Sequence, residues 1–304
     1  MTFLKKRETP VQNIAYIAIM AAVNVVFVTI SCALPILFVL LVFLLPLTSV
    51  IVTIYCKKYY VPIYAIATLA LCFGVSAGFS IFDTFIYVLP SLLTGIAFGL
   101  MIEKRVPAIY MIVSISILQY LLISLTFLAI NNLIVQINFF NSIYSMIGLQ
   151  NFPYKGVLTD ILTFIIAEIQ VAITYTLVKY EMKRADIEIN LECKNRFILY
   201  IALILNGISV VLSLYYFPSY SVLITLIALP IAVYLTIDLL LKRVIWVYIS
   251  LGALAVAFAF IFAFVYSYIS APNQLSLIYI FFIGVTIIDT LFNYCFNAKL
   301  KNIE

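Results

Sequence analysis

The sequence predicts an all-α, polytopic membrane protein with about ten transmembrane helices. Three observations predict it. Of the 304 residues, 66% are apolar and only 10% charged, against about 25% charged in a soluble domain. The apolar residues fall into runs of about 20, the length that crosses a bilayer as a helix. The charged residues gather between those runs, and the basic ones on alternate connections.

The runs follow in order. Residues 1–10 form a short basic head with Lys5, Lys6 and Arg7. The apolar run Asn13–Cys32 is too long for the core of a secretory signal and reads as helix 1. Pro35 separates it from helix 2, 35–56, which contains Pro46 and ends at Lys57 and Lys58. Helix 3 covers 60–78. Helix 4 covers 83–102, contains Pro90 and ends at Glu103, Lys104 and Arg105. Helix 5 covers 107–136. The stretch 137–156 mixes amides with Phe139, Phe140, Ile143 and Tyr144, as expected of a segment on the membrane surface or over a cavity mouth. Helix 6 is 157–180. Residues 179–196 carry nine charges and no glycine or proline, a partly helical linker. Helices 7 to 10 follow at 197–216, 219–241, 244–269 and 275–297.

Ten spans place both termini on one side. With the N-terminus cytoplasmic, 16 of the 17 Lys and Arg residues fall inside and only Lys155 outside. That is the bias the positive-inside rule demands, and a wrong helix count would scramble it. The expected location is the cell membrane, multi-pass, with both ends cytoplasmic.

Several function classes drop out. The chain has no histidine, which removes the commonest general base and metal ligand. Its five cysteines show no CxxC spacing and read as small apolar residues, so neither a disulfide framework nor a metal site is expected. No phosphate-binding loop and no nucleophile elbow is present, so no ATPase of its own and no cofactor is expected. The net charge of +5 reflects membrane orientation and does not indicate nucleic acid.

The chemistry-bearing features lie inside the apolar runs. Helix 6 carries Asp160 near its start, Glu168 at its middle and Gln170 just after. An acid at the centre of a membrane helix costs about 2.5–3.5 kcal/mol on insertion scales and marks a bundle interior or a watery cavity. Asp160 and Glu168 lie within about 80° of one another around the helix. The alternative for Glu168 is a protonated structural group bonded to a neighbouring helix. Asp83, Asn131 and Asn132 fall at outer helix ends, Gln119 at the depth of Glu168, and Asn24 near mid-membrane. Helices 1, 4, 5 and 6 are therefore expected to surround a cavity open to the outside, lined by Asn24, Asp83, Gln119, Asn131, Asn132, Asp160 and Glu168. For each amide the alternative is an interhelical hydrogen bond worth about 0.6 kcal/mol, or a headgroup contact for Asn131 and Asn132. Asp238 stands four residues before Lys242, the spacing of a helix ion pair. Asp289 is deeper in helix 10, with Asn293 one turn on. Small residues at Ala18 and Ala22, Gly74 and Gly78, and Gly95 and Gly99 mark close helix packing.

The opening NIAYIAIMAAVNV, residues 13–25, with its A-x-x-x-A at Ala18 and Ala22, resembles the alanine-rich first helix of the S component of energy-coupling factor transporters. The six-helix count over 1–180 and the cytoplasmic N-terminus extend the resemblance. The last four helices depart from that family's six, and the likeness is closer to larger bacterial membrane proteins related to S components in their first part. The resemblance implies a six-helix substrate-capturing domain over 1–180; the charge run and the last four apolar runs add a cytoplasmic linker at 181–196 and a four-helix membrane domain at 197–304. It implies that Ala18 and Ala22 meet a transmembrane coupling subunit, which joins two ATPases.

The first functional reading is thus a non-enzymatic, substrate-binding membrane subunit of a transporter. It takes a small neutral or cationic molecule from outside, with 137–156 as a lid. The second is a membrane scaffold or regulator whose 179–196 segment and last helices dock other proteins. The third is a membrane enzyme on a lipid-linked substrate with Asp160 and Glu168 as acid and base. A pair of acids without cation or metal motif ranks it last.

Overall fold

A computed structural model describes residues 6–33, 35–77, 87–133, 155–184 and 245–265, with single positions between 201 and 234 and between 280 and 291. The described residues contain helices and no strand. The helices are α1 (Pro10–Ala33), α2 (Pro35–Tyr55), α3 (Tyr60–Ser76), α4 (Leu89–Glu103), α5 (Ala108–Leu133), α6 (Lys155–Arg184) and α7 (Ile245–Val265). Three are long and apolar enough to cross a bilayer: Pro10–Cys32, Ala108–Ala129 and Leu158–Met182. Shorter apolar helices accompany them at Leu44–Tyr55, Tyr60–Ser76, Leu89–Glu103 and Tyr248–Ile261. The seven helices stand where the apolar runs predict helices 1 to 6 and 9. Helix α6 continues to Arg184, into the stretch read as linker.

The chain divides into two compact units. One comprises Met1–Ile137 with Ile169–Cys193, the other Asn138–Glu168 with Lys194–Glu304. The boundary falls inside α6, which gives its first half to the second unit.

In the first unit α2 packs along α4, α1 lies against α2 and α3, and α4 lies against α5. The α2–α4 seam depends on two glycines. A Cβ on Gly95 would run into the Pro46 carbonyl oxygen and stand 2.7 Å from Ser49 Cβ. A Cβ on Gly99 would stand 2.5 Å from Thr53 Cβ and 3.1 Å from the Val50 oxygen. Four residues apart on one face, the two glycines let the backbones meet where lipid supplies no hydrophobic drive. Val28, Leu45, Cys72 and Val88 form an apolar cluster in this unit, with Val25, Phe27 and Leu69 against it.

One end of this unit collects the charges. Lys58 pairs with Glu103 at 3.3 Å, joining the turn after α2 to the end of α4. Glu181 of α6 lies near enough to Tyr55, at the end of α2, to act on its phenol electrostatically. The Arg7 amide donates to the Tyr55 carbonyl at 2.8 Å, and the Lys57 amide donates to Asn13 Oδ1 at 2.9 Å. The Arg7 guanidinium sits 4.5 Å from the Tyr16 ring centre. Between α4 and α5 the chain turns through Arg105, whose φ of 53° is left-handed. The Arg105 amide donates to the Ile102 carbonyl and the Val106 amide to that of Met101, closing the helix with a paired cap. The start of α1, the ends of α2, α4 and α6, and the start of α5 thus share one end. It holds Arg7, Lys57, Lys58, Lys104, Arg105 and Lys179, basic residues that the sequence assigns to the inner face.

Candidate functional site

Two buried polar clusters cross-link the helices of the first unit. The first is built on α1, α2 and α3. Asn24, 1% exposed, donates from Nδ2 to the Tyr64 hydroxyl at 2.7 Å. Its Oδ1 accepts from Thr48 Oγ1 at 2.7 Å, a hydroxyl that also reaches the Leu45 carbonyl at 2.8 Å. Thr48 and Ser49 oxygens lie 3.2 and 3.4 Å from the Tyr64 hydroxyl. The amide of Asn24 thus uses its donor and its acceptor between helices. This is the interhelical bonding the sequence holds open as the alternative to a cavity role.

The second cluster is built on α4, α5 and α6. Gln119 Nε2 donates to Gln170 Oε1 in a short bond, and Gln170 Nε2 donates to Ser91 Oγ at 2.7 Å. Gln119, Gln170 and Ser91 are each at most 3% exposed. The chain of amides runs from α5 through α6 to α4, because each residue lies on the buried stripe of its helix. Those stripes are set by the apolar spacing of Ile112, Ile115 and Ile123 on α5 and of Val171, Tyr175 and Val178 on α6.

The second unit holds the two acids of α6. Glu168 is 2% exposed, whereas Asp160 is exposed. Their 80° separation on the helix surface is enough to put one in the core and the other at its edge, two turns nearer the helix start. The two do not share a buried face. Ile161, Phe164 and Ala167 are buried beside Glu168 on the same helix.

Of the expected cavity residues, Gln119 and Asn24 therefore stand in separate clusters of the first unit. Asp83 lies outside the described residues, as do the side chains of Asn131 and Asn132, the segment 137–154 and the linker from 185 onward. Asp238 and Asp289 also lie outside them. Sequence reasoning missed Ser91, Thr48, Ser49 and Tyr64 as polar partners. A signal existed in each: a hydrogen-bonding group in the middle of an apolar run. Among the described residues no three of His, Cys, Asp and Glu lie together as a metal site would need.

On α1 one face is buried by Asn13, Tyr16, Ile17, Met20, Ala21, Asn24 and Val28. The opposite face leaves Ala15, Ala18 and Ala22 exposed, between Val11, Ile14, Ile19 and Val26. Ala18 and Ala22 are thus not used to pack α1 within the unit.

No family model matches the chain. No curated protein and no solved structure matches it.

Proposed function

We propose that this protein is a substrate-binding membrane subunit of a transporter, embedded in the cell membrane by ten spans with both ends cytoplasmic. It captures a small neutral or cationic molecule from outside and draws its energy from a partner that carries the ATPases. The observation that carries this reading is the free face of α1. Ala18 and Ala22 lie exposed on a helix whose other face is fully used, and flat small-residue surfaces are what membrane helices use to approach one another closely. The same stripe carries the resemblance to S components. The gathering of Arg7, Lys57, Lys58, Lys104, Arg105 and Lys179 at one end of the first unit supports a cytoplasmic assignment of that end. The preference for a neutral or cationic substrate rests on charge. Asp83, Asp160 and Glu168 fall on the outer half or mid-plane in this topology, and only Lys155 is basic there. An anion would meet like charge in a low dielectric.

The test is purification of the full chain from its native membrane, with mass spectrometry of what accompanies it. A membrane protein and ATPases are expected to co-purify. Ala18→Leu with Ala22→Leu is expected to leave folding and ligand binding intact and to abolish that co-purification. Partners retained by the double variant would refute the α1 contact. A co-purifying lipid carrier without ATPases would favour a membrane enzyme.

A further inference from the structure

Several hydroxyls of the first unit follow one pattern. Thr53, Thr94, Ser114, Thr126 and Thr176 each donate to a carbonyl three or four residues earlier in their own helix. Folding back in this way satisfies a hydroxyl within an apolar surrounding. Ser116 and Thr174 do not fold back, although they are 0% and 1% exposed. Among the described residues neither oxygen has a hydrogen-bond partner, and the same holds for Gln119 Oε1. A buried polar atom left unmatched is costly, and such atoms are normally matched by protein, water or ligand.

These three atoms belong to α5 and α6, the two helices that the glutamine bond joins. Ser116 lies three residues before Gln119 on the buried stripe of α5. Thr174 lies four residues after Gln170 on that of α6, and the two glutamines are bonded. Because α6 ends where α5 begins, both hydroxyls are displaced from the glutamine pair toward the same, charged end. At 1.5 Å per residue, Ser116 is about 12 Å from the start of α5 and Thr174 about 15 Å from the end of α6. By helix rise, each hydroxyl stands one turn from its own glutamine, toward the charged end. Thr94 of α4 is displaced from Ser91 in the same direction.

We propose that this α4–α5–α6 junction is a binding position for a small uncharged hydrogen-bonding group. The occupant donates to Gln119 Oε1 and accepts from the Ser116 and Thr174 hydroxyls. A hydroxyl group or water meets that pattern, and so does a primary amide. An ion does not, because Ser91, Thr94, Ser116, Gln119, Gln170 and Thr174 supply no formal charge to balance it. The site does not rest on the transport reading, and its test measures neither transport nor partner binding.

The experiment uses the full chain in lipid nanodiscs. If the position is occupied, Ser116→Ala with Thr174→Val removes two hydrogen bonds and lowers the melting temperature by several degrees. Thr174→Ser, which keeps the hydroxyl, stays near the wild type. If the hydroxyls have no partner, deleting them removes a desolvation cost, and the double variant melts at or above the wild type. That result overturns the proposal. A second measurement needs no variant. Radiolytic labelling of the wild type in 18O-enriched water marks buried side chains beside bound water, here those next to Ser116 and Thr174 on α5 and α6, and mass spectrometry of an organic extract finds a retained alcohol or amide. Label identifies water as the occupant and an extracted molecule identifies an organic group. Neither label nor extract overturns the proposal.

Discussion

Gly95→Leu is expected to unfold the first unit or abolish its expression, and Gly95→Ala to destabilise it by about 1–3 kcal/mol, the cost of overpacking a closed seam. The clash is with backbone: the added Cβ meets the Pro46 carbonyl, held inside α2, as well as Ser49 Cβ. Moving α4 away would open its contact with α2 and strain the Gln170–Ser91 bond, since Ser91 is one turn before Gly95. Gly99→Ala meets Thr53 and the Val50 oxygen and is expected to act in the same direction. Gly74→Ala is the control. Nothing lies within 4 Å of a Cβ there, and alanine gains about 0.8–1.0 kcal/mol of helix propensity over glycine. Thermal unfolding in nanodiscs should therefore separate Gly95 from Gly74 in sign. Equal behaviour of the two would show that the α2–α4 approach is not the close one described.

The second large effect concerns Glu168. In the proposed function its carboxylate matches a cationic group of the captured molecule. Glu168→Gln keeps the shape and one acceptor oxygen but removes the charge. Loss of a charge-assisted contact is worth about 1.5–3 kcal/mol, roughly a 10- to 100-fold weaker binding of whatever small molecule the purified chain retains. Calorimetry across pH should show the variant's affinity flat where the wild type's varies. If Glu168 is only a protonated structural group, Gln is nearly silent in binding. Tight binding of an anion that the variant strengthens would exclude the cation reading altogether.

The sequence makes the helices legible and leaves their neighbours obscure, for a physical reason. Apolar runs of bilayer length and the prolines at 35, 46 and 90 place α1 to α6 within a few residues. Periodicity also says that Gly95 and Gly99 share a face. It does not say that the face meets α2, because in lipid every apolar stripe satisfies the same hydropathy requirement. Asn24 shows the consequence. Its depth made it a cavity candidate, yet Tyr64 and Thr48, from helices 3 and 2, occupy its amide. Gln119 is legible as a polar group in an apolar run, but its partner Gln170 comes from 51 residues further on, and Ser91, which Gln170 bonds in turn, from 28 residues before Gln119. Asp160 and Glu168 are close in helical phase, but phase alone does not set where the boundary of burial falls between them. What was legible on α1 is the alanine pattern itself; its exposed side required the packing of α2 and α3 to be known.

The account stands on the orientation of the chain in the membrane: capture from the side of 137–156, with 181–196 on the opposite side. Replacing the native cysteines and introducing Gln150→Cys or Glu188→Cys allows the two sides to be read in intact cells with a membrane-impermeant maleimide. The account predicts labelling at 150 and none at 188 until the membrane is broken. Labelling of 188 in intact cells would contradict it.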